Sequence, residues 1–206
     1  MSDFKRPQID LVDIVQHDHG WFAYVADVSG HGVPAGVLMT MVKSAARTRL
    51  AAVGSVGFLS ALNQVLLPLS APNMYVTFAF LSYTRPHMEL ATAGHVPILH
   101  FDRLAGTVRE RRVSNFPVAL LSDVPFEVSE ISSGPGDVFV FLTDGMSEVI
   151  DDHDRELGLE PLKSVLLQNA GAPLPEIASR LRHRALQHGK QTDDQTLLII
   201  RHSRAI

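Results

Sequence analysis

The chain has 206 residues, contains no cysteine and carries a formal net charge of −4 at pH 7. The absence of cysteine excludes disulfides, thiolate metal sites and cysteine nucleophiles, and the scattered Lys and Arg residues argue against nucleic acid or an anionic membrane as a partner. With 46% hydrophobic residues the chain can bury one substantial core, so a single domain over residues 1–206 is expected. No apolar run approaches the ~20 residues that span a bilayer, and the polar N-terminus favours a cytoplasmic protein.

The first predicted elements are a β-hairpin and two helices. Residues 9–15 and 21–26 are rich in β-branched and aromatic side chains, which predicts two strands joined around residues 17–20. Residues 34–50 begin with a proline and repeat apolar side chains at helical spacing, and residues 58–69 predict a second helix.

Strands predominate in the middle of the chain, and helices return near its end. Five strands are predicted there, at residues 74–83, 87–93, 98–101, 125–131 and 137–142. The first three would form an antiparallel meander. Helices are predicted at residues 159–168 and 175–188, before a last strand at 197–200. Because strands and helices are grouped in blocks rather than strictly alternating, the pattern predicts an α+β layered fold.

Acidic residues stand where three apolar strands meet solvent. Asp27 opens the turn D-V-S-G-H-G, Asp144 lies in T-D-G after a strand, and Asp193 opens D-D-Q-T before the last strand. A single aspartate at such a position is usually a turn former or an N-cap. Three carboxylates at neighbouring strand ends would repel one another unless cations neutralised them, and their hard oxygens suit Mg²⁺ or Mn²⁺. The sequence therefore predicts a divalent metal site.

These motifs resemble the metal-dependent phosphatases of the protein phosphatase 2C (PPM) type, and within them the bacterial SpoIIE/RsbU branch. Four blocks in the family's order carry the resemblance: D-V-S-G-H-G-V-P-A at 27–35, A-T-A-G-H-V-P at 91–97, T-D-G-M-S-E at 143–148 and D-D-Q-T at 193–196. The resemblance implies a four-layer α-β-β-α sandwich, in which two antiparallel sheets are flanked by helices and a metal cleft opens at one edge.

The resemblance also implies the ligands of two Mn²⁺ or Mg²⁺ ions. Asp27 matches the metal-bridging carboxylate, and the backbone carbonyl of Val28 matches its companion ligand. Asp144 and Asp193 match the remaining core ligands, which makes Asp27, Asp144 and Asp193 the expected catalytic residues. Asp194, which follows a core ligand, would support the site by hydrogen bonding.

The N-terminal block departs from the family pattern. The branch normally has G-G-D-x-x-D before the first hairpin, whereas residues 8–13 read Q-I-D-L-V-D and lack both glycines. Asp10 falls at the expected carboxylate, where it is either a metal ligand or an ordinary edge-strand aspartate. His31 and His95 lie in glycine-flanked loops, and each is either a general acid or a structural hydrogen-bonding residue.

The resemblance implies hydrolysis of phosphoserine or phosphothreonine on a regulatory protein by a metal-activated water. In this branch the substrate is typically a phosphorylated anti-anti-sigma factor, and a sensor domain, a receiver domain or an activator protein acts upstream. Two alternatives remain open. One is a phosphatase-like domain with impaired metal binding that serves as a signalling adaptor, and the other is a hydrolase of small phosphate esters.

Overall fold

Ten strands and four helices make up the described part of the chain, which in this computed structural model comprises residues 9–17, 20–71, 73–191 and 193–203. These elements belong to two compact units. Unit 1 contains the residues up to Val96 together with Arg112–Ile131, and unit 2 contains Pro97–Arg111 together with the residues from Ser132 onwards.

Unit 1 is built on a six-stranded sheet and one long helix. Its strands are β1 (Ile9–His17), β2 (Gly20–Val28), β3 (Val76–Thr84), β4 (His87–Ala93), β7 (Ser114–Asn115) and β8 (Ser129–Glu130). The order is β1-β2-β3-β4-β7, and β8 also pairs with β4. Neighbours are antiparallel except for the parallel pair β4–β7.

The two faces of β2 have different roles because successive side chains of a strand point to opposite sides. Phe22, Tyr24 and Val28 belong to the apolar core of unit 1, and Phe22 packs against Phe58 of the helix with their ring centroids 5.4 Å apart. Asp27 lies on the other face of the sheet. The alternation therefore places a carboxylate opposite the aromatic core.

The helix α1 (Val33–Leu66) is interrupted at Gly54, whose φ of 66° and ψ of 175° are not helical. The two helices that the sequence predicts in this region thus follow each other across a glycine break. Glycine reaches this conformation without a Cβ clash. A short 3₁₀ turn, Leu67–Leu69, ends the segment.

Unit 2 contains the second sheet and three shorter helices. Its strands are β5 (Ile98–Asp102), β6 (Thr107–Arg111), β9 (Val138–Leu142) and β10 (Leu197–Arg201), arranged in the order β10-β9-β5-β6 with antiparallel neighbours. Its helices are α2 (Asp144–Ser147), α3 (Glu160–Asn169) and α4 (Leu174–His188). Because α3 and α4 are amphipathic, each buries one apolar face, which includes Leu162 of α3 and Leu181 of α4.

The predicted α+β class with two sheets and accompanying helices is confirmed, and the first hairpin is found where it was expected, although its residues 18 and 19 lie outside the described part. The predicted meander is wrong at its third strand. β5 pairs with β6 and β9 in the second sheet. Between β4 and β5 the chain turns at Gly94, where φ is 65°. Strand content alone did not reveal this change of sheet.

The predicted strand at residues 125–131 is also largely wrong, since only Ser129–Glu130 pairs with β4. The Asn115 side chain donates to the carbonyl of Glu127 at 2.9 Å and accepts from the N–H of Glu127 at 2.8 Å. The Asn115 side chain thus makes the backbone hydrogen bonds at Glu127 that a neighbouring strand would otherwise make. None of the helices in the described ranges has the length and apolar character that crossing a bilayer requires.

Candidate functional site

In unit 1, the candidate functional residues form a row of polar side chains across the sheet. Asp27 is directly opposite Asp10 on β1 and Thr77 on β3. Residues paired in this way on adjacent strands point to the same face, with Cβ atoms about 5 Å apart. Asp27 is 5% exposed, whereas Asp10 is half-buried. Two carboxylates therefore lie side by side on the face away from the aromatic core.

The turn that follows Asp27 is fixed by Ser29. Its N–H donates to the carbonyl of Tyr75 at 2.9 Å, and its hydroxyl donates to the same carbonyl at 3.1 Å while accepting from the Tyr75 N–H at 2.7 Å. Gly30 and Gly32 then adopt φ angles of 111° and 77°, which favour glycine. These contacts hold the Val28 region at the end of β2, immediately before α1 begins.

A buried histidine extends this row of polar residues. The Nδ1 atom of His95 is 2.8 Å from the hydroxyl of Thr77, the strand neighbour of Asp27, and His95 is 8% exposed. His31, by contrast, is exposed. Sequence reasoning noticed His95 in its glycine loop, but it missed Thr77 because only the strand register brings these residues together.

In unit 2, the candidate functional residues lie in a pair of loops. Asp144 begins α2 directly after β9, and Gly145 lies against the backbone of Asp193 and Asp194, where an added Cβ would overlap the Asp194 carbonyl. The Asp194 N–H donates to the Asp193 carboxylate at 2.8 Å. The two acidic loops thus meet through a close backbone approach that requires glycine.

Thr143 connects the same two loops. Its hydroxyl donates to the carbonyl of Asp194 at 3.3 Å and accepts from the N–H of Thr196 at 3.0 Å, and its own N–H donates to the carbonyl of Thr196 at 3.2 Å. Asp194 is bound here through its backbone carbonyl, while its carboxylate is exposed. The T-D-G and D-D-Q-T motifs therefore form one connected structure within unit 2.

The model of the family described as Stage II sporulation protein E (SpoIIE) matches residues 17–203, which contain all four motif blocks. The chain belongs to the SpoIIE family. The resemblance to phosphatase domains of the SpoIIE/RsbU type is thereby confirmed. Asp10 lies before the matched residues, in the block where the sequence departs from the pattern.

A known relative of this SpoIIE-family chain agrees with that assignment. It is 23% identical over 186 residues to the phosphoserine phosphatase RsbU of Bacillus subtilis, and the match covers 86% of the chain and 54% of RsbU. The chain therefore spans about half the length of this curated relative.

Solved structures show the same fold. The PP2C domain of SiaA from Pseudomonas aeruginosa superposes with a TM-score of 0.80 at 23% identity, covering 93% of this chain and 80% of that domain. A structure of RsbU and RsbW domains from Mycobacterium tuberculosis gives 0.82 at 23% identity, covering 98% of this chain and 58% of the other. The PP2C domain of B. subtilis SpoIIE gives 0.72 at 16% identity, covering 93% and 58%. The predicted phosphatase fold is thus confirmed.

The acidic residues of this SpoIIE-family chain fit a divalent cation in their chemistry. Among the described residues no group of three or more His, Asp and Glu side chains is gathered as a ready metal site. Mg²⁺, however, commonly keeps several waters and is held by one or two carboxylates together with substrate phosphate. The adjacent Asp10 and Asp27 supply such a pair of hard oxygen ligands.

Unit 2 also contains a buried charged network that involves none of the predicted ligands. His100 donates from Nε2 to the Asp137 carboxylate at 3.1 Å and accepts at Nδ1 from the Arg111 guanidinium at 3.2 Å. Burial lowers the pKa of His100 below its ordinary value of 6.5. Burial alone would raise the pKa of Asp137, but hydrogen bonds from the N–H groups of Arg103 and Gly134 and from His100 hold it below 3.8. His100 is therefore a neutral structural group.

Proposed function

We propose that residues 1–206 form one metal-dependent phosphatase domain that hydrolyses phosphoserine or phosphothreonine on a protein. The observation that carries this proposal is the side-by-side placement of Asp10 and Asp27 just before a glycine turn. Membership of the SpoIIE family and similarity to RsbU, which is named a phosphoserine phosphatase, support the reaction class.

Each site residue has a proposed role at Mn²⁺ or Mg²⁺. In unit 1, the Asp27 and Asp10 carboxylates and the Val28 carbonyl are proposed to hold the metal. In unit 2, Asp144 and Asp193 are the proposed metal ligands. Divalent cations, when bound, supply a water of lowered pKa and offset the charge on phosphoryl oxygens during in-line displacement. No covalent intermediate on the protein is required.

The chain's own contribution is to hold these oxygen ligands in place. The strand pairing fixes Asp10 and Asp27 in register, and the Ser29–Tyr75 hydrogen bonds fix the turn beyond them. In unit 2, Gly145 and the Thr143 hydroxyl hold the loop that carries Asp193. Such preorganisation matters because a ligand displaced by about 1 Å can cost about 100-fold in rate.

The substrate proposed here is a phosphorylated regulatory protein of the anti-anti-sigma type, in a partner-switching pathway of the cytoplasm. The support is the similarity to RsbU and to the structure that contains RsbU and RsbW domains. A sensor domain, a receiver domain or an activator protein is proposed to act upstream, as the resemblance to this branch implies.

Two observations favour the adaptor as a second candidate. The described residues contain no gathered group of three or more possible metal-binding side chains, and the block around Asp10 lacks its family glycines. A chain that binds metal poorly could keep the fold and bind the phosphoprotein without hydrolysing it.

The test is hydrolysis of a serine-phosphorylated anti-anti-sigma protein with and without Mn²⁺. We expect metal-dependent turnover that falls by about 1,000-fold in Asp27→Ala, with a matching loss in Asp10→Ala, because two-ion activation of water needs both carboxylates. The exposed Asp152→Ala is the matched control and should retain full activity. Binding of the phosphoprotein without turnover at any Mn²⁺ concentration would favour the adaptor.

A further inference from the structure

The strongest local positive charge in this acidic chain is on α4 and the residues that follow it. Residues 177–192 contain no Asp or Glu, but they include three arginines, one lysine and two histidines, although the whole chain has a net charge of −4. Along the sequence these cations alternate with apolar residues. The helix sorts the two kinds of residue onto different sides, and this is why the basic residues look scattered before the structure is known.

The apolar side of α4 is already occupied. Ile177, Leu181 and Ala185 are fully buried within unit 2. Arg182 and His183 are exposed on the helix, and Lys190 is exposed just beyond it. The basic side of the helix is thus the side that a partner could reach. We name this surface, formed by Arg180, Arg182, His183, Leu186 and Lys190, the α4 basic face.

Helix stability does not explain this concentration of charge. Arg180 pairs with Glu176 at 2.6 Å, which is an ordinary intrahelical contact. Arg182 has Ala178, Ser179, Ala185 and Leu186 at the positions where a helical partner would lie. In the part of the chain that the structure describes, no carboxylate pairs with Arg182, His183 or Lys190. These cations are available to an external anion.

The α4 basic face ends close to the candidate site of unit 2. The N–H of Lys190 donates to the Ile150 carbonyl at 3.1 Å, and the ring of His188 donates from Nε2 to the Arg155 carbonyl at 2.9 Å. The end of the helix is therefore attached to the segment that follows α2. Lys190 precedes Asp193 by three residues, a span of at most about 10 Å.

We propose that the α4 basic face docks an acidic segment of the phosphoprotein substrate, beside its phosphorylated residue. This rests on the proposed function, which supplies a protein partner, and on the charge complementarity between the exposed cations and an acidic segment. Leu186 is 55% exposed and lies one turn from Arg182 and His183, so it offers the partner an apolar contact within the charged surface. A lipid surface fits less well, since the apolar residues that would enter a bilayer are buried in unit 2.

The docking variant is Arg182→Glu combined with Lys190→Glu. Its matched control is Lys43→Glu combined with Arg109→Glu, two exposed cations elsewhere that give the same change in net charge. The probes are a serine-phosphorylated peptide flanked by Asp and Glu, the same peptide with Asn and Gln instead, and p-nitrophenyl phosphate. Each is measured at about 20 mM and about 500 mM salt, which bracket strong and weak screening.

For the acidic peptide at low salt we expect kcat/KM of the docking variant to fall about tenfold, chiefly through KM, because charge complementarity acts on encounter and binding. The loss should nearly vanish at high salt. Turnover of the neutral peptide and of p-nitrophenyl phosphate should be unchanged, and the control variant should behave like the wild type. An equal loss with all three substrates, or an equal loss in the control variant, would overturn docking.

Binding measured by fluorescence anisotropy separates this proposal from the phosphatase activity itself. If the wild type hydrolyses nothing but binds the acidic peptide about tenfold more tightly than the docking variant does, the proposed function fails and the docking surface stands. Equal binding by both proteins overturns the docking surface. Wild-type binding to phosphatidylserine vesicles or duplex DNA in preference to the peptide would assign the face to a different partner and would also overturn it.

Discussion

The two units hold their acidic residues by different physical means. In unit 1, Asp10 and Asp27 stand within paired strands, so the register of the whole sheet fixes their spacing. In unit 2, Asp144 and Asp193 stand in loops that are joined by the Thr143 hydroxyl and by the close approach of Gly145. A sheet distributes the constraint over many hydrogen bonds, whereas the loops depend on a few atoms. Single substitutions should therefore disturb the acidic loops of unit 2 more easily than the paired strands of unit 1.

The largest effect is expected from Gly145→Ala. The new Cβ would overlap the Asp194 carbonyl, which is backbone and cannot move without displacing the loop that carries Asp193. We expect phosphatase activity to fall by at least about 100-fold, because a ligand would be misplaced by an ångström or more. The free energy of unfolding should fall by about 1–3 kcal/mol, as overpacking usually costs.

Gly171→Ala is the matched control for Gly145→Ala, because nothing lies within 4 Å of a Cβ built at Gly171. This control should keep wild-type activity and stability in the same assay and in urea unfolding. Equal behaviour of the two alanine variants would contradict the importance assigned to the loop contact.

A Thr→Val substitution in each unit tests how far that unit depends on one hydroxyl. Thr143→Val removes a buried hydroxyl that makes two loop hydrogen bonds and leaves the Thr196 N–H without this acceptor, so we expect a loss of about 2 kcal/mol. Thr77→Val removes the hydrogen bond to His95, and the sheet around it remains paired, so we expect about 1 kcal/mol. Urea unfolding measures both. A larger loss in Thr77→Val would reverse the ranking of the two units.

Acid should destabilise unit 2 through His100. Because burial lowers the pKa of His100 in the folded state, the unfolded chain binds the proton first as the pH falls below about 6.5. The contribution of the neutral His100 ring to the free energy of unfolding is therefore complete above about pH 6.5 and decreases as the pH falls below it. The lowered pKa of Asp137 adds a further loss at pH values below 3.8.

His100→Gln tests this linkage, since glutamine does not titrate. We expect the variant to be less stable at neutral pH but to lose less stability than the wild type between about pH 7 and pH 5, as measured by urea unfolding. His183→Gln, on the exposed side of α4, is the control and should follow the wild type. A parallel pH dependence in His100→Gln and the wild type would rule out His100 as the responsible group.

The smallest effect is expected from Arg47→Ala in unit 1. The Arg47 guanidinium makes two hydrogen bonds to Asp13, at 2.9 and 3.0 Å, and so links α1 to β1, but its side chain is 54% exposed. Solvent screening limits such a pair to about 0.5–1 kcal/mol. The loss should shrink in high salt, and Lys43→Ala, which removes an exposed cation from the same helix, should change stability very little. A loss above about 2 kcal/mol would show that the sheet depends on this one contact.

Much of the fold could be predicted because its signals are local. Runs of β-branched and aromatic residues identified β2 and β9, and helical spacing identified α3 and α4 within a residue or two of their ends. Which sheet a strand joins is decided by partners far along the chain, so β5 was placed wrongly. The short strands β6 and β7 were missed because they carry little apolar pattern, and residues 125–131 are apolar because Phe126 enters the core rather than because they form a strand.

For the candidate functional residues, too, local motifs were predictable and contacts between distant parts of the chain were not. The motifs identified Asp27, Asp144 and Asp193, and the hairpin register places Asp10 beside Asp27. The roles of these residues at metal stay predictions. The Thr77–His95 contact and the His100–Asp137–Arg111 network were not predictable, because each joins residues from separate elements and no spacing in the sequence marks them.

The order in which the chain supplies the two units has a consequence for its synthesis. Residues 97–111 belong to unit 2 but leave the ribosome before residues 112–131, which complete unit 1 with β7 and β8. The β5–β6 hairpin must then wait for β9 and β10, which come later in the chain. At about 5–20 residues per second this interval lasts several seconds. Because each unit is made of two separate stretches of chain, a single proteolytic cut cannot release either one. During synthesis the nascent chain must therefore carry a second sheet that is not yet complete.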